Sequence, residues 1–170
     1  KGWIVETLSD STIYMAFYTI VKHIRRHNLK PEQLTNQVFD YVLLGVGQPE
    51  KVAKDSSIPV SVLQGMRNEF TYWYPVDLRV SAKELVPNHL SFFIFQHTAL
   101  FPKEHWPRGV GVNGMLAIEG QKMSKSKGNF LTLRNAVERF GADVTRLTLI
   151  LGAEDMDDPD WREENARSID

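Results

Sequence analysis

Lys122, Lys125 and Lys127 crowd into the stretch "QKMSKSKGN", residues 121–129, around Met123, with hydroxyls at Ser124 and Ser126. No hydrophobic period runs through it, so it is the face of neither a helix nor a strand. Lysine carries a flexible point charge suited to phosphate oxygens. Hydroxyls and loop amides add hydrogen bonds to the same anion. Gly120 before the cluster and Gly128-Asn129 after it predict a mobile loop. Composition alone leaves two readings open, a solvated surface turn and a clamp for a polyanion.

Three other stretches carry polar groups that could converge with the loop. "SAKELVPNHL", residues 81–90, follows a strand-like run and opens a helix, the place where open α/β sheets bind ligands. It supplies Glu84 and His89. "VNGMLA" places Gly114 and Met115 just before the loop. A glycine at a strand end permits close backbone approach. "TLSDSTIYMA" offers Leu8, Ser9 and Tyr14, with core packing and pocket lining both open for Leu8 and Tyr14. His23, His27, His97 and His105 form no metal-ligand spacing.

The elements that must position these groups follow from periodicity. A short extended run, Trp3 to Val5, precedes a helix from about Thr12 to His27, with Ser9, Asp10 or Ser11 as N-cap. Ile13, Phe17, Ile20, Val21 and Ile24 make its apolar stripe. A short helix starts at Pro31 and ends at Gly45; residues 47–60 read as a polar connector; "SVLQGMRNEFTYW" reads as a further helix. "YWYPVDLRVS" predicts a strand, with its core part after Pro75. A helix follows over Val86 to Leu100, Pro87 sitting in the first turn where its missing N–H costs nothing. "RGVGVNGMLAI" predicts a strand; Thr132 caps a helix through Arg139 that Gly141 ends; Asp143 caps a second. This alternation predicts an α/β fold, a Rossmann-like parallel sheet with a small helical insertion. The predicted divisions are 1–27, a helical insertion at 28–66, a sheet-bearing segment at 67–153 and an acidic linker at 154–170.

Bulk composition sets outer bounds. The 170 residues carry a net charge of −1, unevenly spread: residues 1–153 balance at +5, and the last 17 hold eight acids and two bases. The body can therefore meet an anion. The chain has no cysteine, which excludes disulfides and thiolate chemistry and fits the cytosol. No run reaches the roughly 18 apolar residues of a membrane span. "KGWIVETLSD" has no signal-peptide pattern and starts as if mid-domain, so the chain reads as a fragment.

Lys-Met-Ser-Lys-Ser followed by Gly-Asn and "GADVTRL" resembles the signature loop of the class I aminoacyl-tRNA synthetases. "LSDSTIYMAFYTIVKHI", "FTYWYPVDLRVSAKELVPNHL" and "WPRGVGVNGMLAIEGQ" extend the resemblance over nearly the whole chain, to leucyl-tRNA synthetases of the archaeal and eukaryotic cytosolic type. The resemblance implies the second half of a catalytic domain, after the editing insertion. It implies activation of leucine by ATP, with Mg2+ accompanying the ATP, and transfer to tRNA(Leu). Lys122 and Lys125 would stabilise charge growing on the departing pyrophosphate, with Lys127 a bystander. Loop closure would make the loop a gate. Met123, Ser124, Ser126, Glu84, Gly114 and Met115 would contact ATP, and Leu8, Ser9, Tyr14 and His89 would shape the leucine pocket. The resembling family has Ser-Gly-Lys-Asp where this chain has Ser81-Ala82-Lys83-Glu84. Ala82 adds a methyl where a glycine can take positive φ, and Glu84 reaches one methylene further.

Two rivals stand beside this reading: a valine, isoleucine or methionine synthetase, and a non-charging paralogue that binds nucleotide or RNA. The family's HIGH-type motif, editing domain and anticodon-binding helices lie outside residues 1–170. The 170-residue polypeptide alone is therefore expected to show no aminoacylation. Leucine- and tRNA-dependent turnover by the purified chain would contradict this.

Overall fold

The computed structural model describes residues 2, 7–152 and 156–169; the Trp3–Val5 run and the Ser9 side chain lie outside the described residues. The chain divides into two compact units, residues 1–79 with 85–110, and residues 80–84 with 111–170.

The first unit is helical. Helix α1 spans Thr7–Ser11, α2 Tyr14–Arg26, α3 Asn36–Phe39, α4 Pro49–Ser56, α5 Val60–Trp73 and α6 Ser91–Leu100. A π-helical turn, Asp40–Leu44, prolongs α3 until Gly45 stops it at φ 73°. The Arg67 guanidinium closes this end by donating to the carbonyls of Tyr41 at 3.1 Å and Val42 at 3.2 Å. A second π-helical turn, Val86–Leu90, leads into α6, with Pro87 in its first turn as predicted. Ile20, Val38, Val42, Leu63, Met66 and Phe70 are wholly buried together.

Within residues 28–66, Val38, Val42, Ile58 and Leu63 pack with Ile20 before them and Phe70 after them. The expected polar connector is mostly α4, anchored by Val52 and Ile58; too few apolar side chains lie between them to set a helical period. The α2 stripe runs through Ala16 rather than Phe17, which stays exposed. Tyr72 and Trp73 belong to α5, and the strand begins only at Arg79. Phe70 and Tyr74 stack at 4.5 Å, so the end of the helix is held in the core.

The second unit holds most of the strand residues. β1 is Arg79–Ala82 and pairs with β2, Val110–Asn113. β3, Ala117–Ile118, lies between β4, Gln121–Lys122, and β5, Asp160–Trp161. β3 runs parallel to β5 and antiparallel to β4. The fold is thus α/β with a small parallel element, and its strands are shorter than the sequence suggests. Helices α7, Leu133–Phe140, α8, Ala142–Leu151, and α9, Glu163–Ile169, cover it. Thr132 caps α7 as predicted, accepting from the Asn135 amide at 3.1 Å. Gly141, not Asp143, occupies the cap position of α8; Asp143 falls in its first turn.

The expected acidic linker is structured over its described residues. Trp161 is 4 % exposed and packs with Ala136 and Ala166, beside Leu116, Ile118 and Phe140. Its described acids are exposed or half-buried, and charge density masked a strand and a helix. Among the described residues no helix is long and apolar enough to cross a membrane.

His97 is wholly buried in the first unit. Its Nδ1 donates to the Phe93 carbonyl at 2.8 Å, so Nε2 accepts from the Tyr74 hydroxyl at 3.0 Å. Burial foremost pushes its pKa below the ordinary 6.5, while the Phe93 bond opposes and the Arg79 charge reinforces the shift. Below that value the unfolded chain binds the proton first, so stability is complete above about pH 6.5 and is lost as pH falls toward the folded pKa. Thermal melts should drop between about pH 7.5 and about pH 5.5. His97→Gln should shrink that drop; an unchanged pH dependence in this variant would contradict the assignment.

Candidate functional site

The cationic loop grows out of the β3–β4 hairpin. Ala117 faces Lys122, and Ile118 faces Gln121. Glu119 and Gly120 form the turn at φ 49° and 73°, the double positive φ of a type I′ turn. The Glu119 amide donates to the Trp161 carbonyl at 3.0 Å, and the Gly120 amide donates to Asp160 Oδ1 at 2.8 Å. Beyond Lys122 the chain turns again, bridging Ser124 to Asn129 with Gly128 at φ 71°. Asn129 clips this turn: its Oδ1 accepts from the Ser124 amide and its Nδ2 donates to the Lys122 carbonyl, both at 3.1 Å. The hydroxyls of Ser124 and Ser126 lie 2.9 Å apart.

Gly120 and Gly128 therefore serve defined left-handed turns, where the sequence suggested loose flanks. Lys122, Lys125 and Lys127 are exposed. Among the described residues none of the three sits in an ion pair. Met123 and Ser124 are half-buried, and Ser126 is exposed. The turn thus presents cations outward that no described residue pairs, which suits an incoming anion.

A cleft of about 480 Å³ adjoins the hairpin, lined by Met115, Leu116, Ala117, Gly120, Lys122, Asp158 and Asp160. It brings together Lys122 and Met115 from the predicted set. Lys125, Met123, Ser124, Ser126, Gly114 and Glu84 do not line it. Asp158 ties the cleft wall: its Oδ1 lies 2.6 Å from Lys83 Nζ and accepts from the Met115 amide at 2.7 Å. The Lys83 bond, then the Met115 amide, hold the Asp158 carboxyl below its usual range. The Gly120 amide, then Arg162, do the same for Asp160. Both carboxylates are thus committed, and the described residues hold no cluster of His, Asp or Glu able to grip a metal ion.

Gly114 is buried, and its need for glycine comes from its own chain. A Cβ there would overlap the Asp157 carbonyl and come within 2.9 Å of Asp158 Cα. Ala82 lies in β1 and is not among the residues with positive φ, so its methyl meets no backbone strain. Glu84 is exposed, one residue into the 3-10 turn Lys83–Leu85 that closes β1.

The remaining candidates belong to the first unit. His89 Nε2 lies 3.4 Å from Arg79 Nη2, and its Nδ1 lies 3.4 Å from Ser11 Oγ. Arginine only donates, so Nε2 accepts and Nδ1 carries the proton. Partial burial, then the Arg79 charge, push the His89 pKa down and favour the neutral ring. Tyr14 lines a different cleft, about 430 Å³, with Phe17, Phe39, Leu43 and Leu100. Leu8 is half-buried, and its carbonyl accepts from Thr12 Oγ1 at 2.8 Å. A further cleft, about 750 Å³, lies between Tyr18, Lys22, Trp73, Tyr74 and Arg79 and includes none of the predicted residues. Sequence reasoning also missed Asp158, Asp160 and Asn129. The "GN" pair signalled a turn, while nothing in the acidic stretch marked which carboxylates face the hairpin.

The sequence model of the family described as tRNA synthetases class I (M) matches residues 58–169. The chain belongs to that family, the class of protein that the fold and the lysine hairpin define. Within it, the chain is similar to leucine–tRNA ligases of archaea. It is 56 % identical over 160 residues to that of Methanocaldococcus jannaschii, covering 94 % of this chain and 17 % of that protein. It is 56 % identical over 165 residues to that of Pyrobaculum arsenaticum, covering 97 % and 18 % respectively. Leucine–tRNA ligase 2 of Sulfolobus acidocaldarius is 52 % identical over 169 residues, covering 99 % and 18 %. The chain therefore spans under one fifth of the length of these curated relatives. The ternary complex of Agrobacterium radiobacter K84 agnB2 LeuRS with tRNA and LeuAMS shares the fold at TM-score 0.51 and 19 % identity, over 78 % of this chain and 16 % of that one.

Gly114→Ala should destabilise the chain by about 1–3 kcal/mol, since the added methyl forces the 157–158 backbone aside. Chemical denaturation measures this. Unchanged stability would show that the close approach is not needed.

Proposed function

We propose that this chain is part of a leucine–tRNA ligase that activates leucine with ATP and transfers it to tRNA(Leu). The observation that carries the reading is the hairpin itself. Lys122 and Lys125 stand exposed and unpaired among the described residues, on a clipped turn beside a cleft that Lys122 and Met115 both line. The resemblance to archaeal leucine–tRNA ligases supports leucine over valine, isoleucine or methionine.

In this reading the leucine carboxylate attacks the α-phosphorus of ATP. The bond to the pyrophosphate breaks, and negative charge grows on the departing oxygens. Lys122 and Lys125 meet that charge more fully in the transition state than in the ground state, which raises kcat. Met123, Ser124 and Ser126 shape the turn, while Met115, Gly114 and Glu84 stand on the nucleotide side. Mg2+ enters with ATP as part of the substrate, since Asp158 and Asp160 are already engaged by protein donors. Leu8, Ser9, Tyr14 and His89 serve the amino acid. His89 stands beside the α-amino and carboxylate end, and the apolar pocket discriminates one methylene by only about 1–3 kcal/mol. The HIGH-containing half, the editing domain and the anticodon-binding domain are the partners supplied by the rest of the enzyme. Residues 154–170 lead toward the last of these. The enzyme works in the cytoplasm.

ATP–pyrophosphate exchange by the full-length protein tests this reading. Exchange should be fastest with leucine, compared against valine, isoleucine and methionine. Lys125→Ala should lower kcat about 100-fold, the scale of removing one donor to developing charge. No exchange with any amino acid would favour a non-charging paralogue, and preference for another amino acid would favour a sister synthetase.

A further inference from the structure

The support beneath the lysine hairpin uses carboxylates that the proposed reaction does not. Asp160 sits on β5 with its two oxygens divided. Oδ1 accepts from the Gly120 amide at 2.8 Å, and Oδ2 accepts from Arg162 Nε at 2.8 Å. Gly120 is the second residue of the β3–β4 turn, two residues ahead of Lys122. Its amide points out of the hairpin ladder, so the Asp160 carboxylate is the acceptor that fixes it.

The neighbouring turn residue returns the contact. Glu119 Oε1 accepts from the Glu163 amide at 2.9 Å, at the start of α9. The Glu163 carboxylate in turn holds Arg139 of α7 at 2.6 Å and Arg167 at 2.7 Å. The elements on both sides of the loop, β4 before it and α7 after it, are thereby tied to one short segment, β5–α9. Glu119 keeps a left-handed backbone at φ 49°, which a non-glycine residue holds only when its surroundings fix it. Loss of the Gly120 acceptor would free that turn, and the direction of β4 with it.

We propose that Asp160 is a positioning residue for the lysine hairpin: its carboxylate locks the Glu119–Gly120 turn and so aims Lys122 at the adjoining cleft. What Lys122 does there rests on the ligase reading; the lock itself does not. The contact that matters is the one to Gly120, because Arg162 lies outside the hairpin.

Three variants of the full-length protein separate the contacts. Asp160→Ala removes both. Asp160→Asn keeps an oxygen for the Gly120 amide and loses the Arg162 bond. Arg162→Ala loses only the ion pair. Hydrogen–deuterium exchange of a peptide covering residues 117–130, without substrates, reads the lock directly. Exchange should quicken by roughly tenfold in Asp160→Ala and stay near wild type in the other two. In leucine-dependent ATP–pyrophosphate exchange, Asp160→Ala should lose about tenfold in kcat with KM for leucine unchanged, and Asp160→Asn should restore it. Equal deuterium uptake in wild type and Asp160→Ala overturns the proposal, as does uptake in Asp160→Asn that matches Asp160→Ala. Quickened uptake with undiminished kcat overturns the aiming role. If wild type shows no pyrophosphate exchange, the ligase reading fails, and deuterium uptake alone decides the lock.

Discussion

The backbone pairing of β3 with β5 is the constraint on which the second unit rests. Ala117 and Glu119 donate to the carbonyls of Pro159 and Trp161 at 2.8 and 3.0 Å. Each strand is two residues long, too short to hold by itself. What secures the pair is Trp161, buried against Ala136 and Ala166 and ringed by Ile118 and Phe140. An indole of this size removes a large apolar area from water at one point. From that anchor the hairpin turn, the Asn129 clip and the exposed lysines follow in order.

The lysines benefit from this arrangement because the turn does not neutralise them. Asp158 and Asp160 lie beside the same cleft but are occupied, one by Lys83 and the Met115 amide, the other by Gly120 and Arg162. Had either carboxylate been left without a partner, it would have drawn a loop lysine inward and cancelled the charge offered to an anion. The first unit follows a different logic. Its helices converge on Phe70, Tyr74 and His97, where one hydroxyl and one imidazole satisfy each other inside an aromatic cluster.

Much of this could be read along the chain. The "KMSKS" string, the Thr132 cap and the Gly45 and Gly141 helix ends are local, and local chemistry decided them. The α/β class followed from alternating patterns. Residues 47–60 escaped because α4 buries little beyond Val52, and one apolar contact sets no period. The acidic stretch escaped for the opposite reason: its charges are many, while its structural content lies in Trp161 and in backbone pairing.

Sequence by itself therefore determined the chemistry on offer: cations grouped at fixed spacing, a turn after them, and a family signature that spans the chain. Tertiary structure decided which side chains line the hairpin cleft and which bond to the turn. Gly114 was only a glycine at a strand end until the Asp157 carbonyl showed a close approach that leaves no room for a Cβ. Asp160 was one acid in a run of acids until strand pairing set it against the Gly120 amide. Pairing across 40 residues depends on which surfaces meet, and no window of local sequence carries that information.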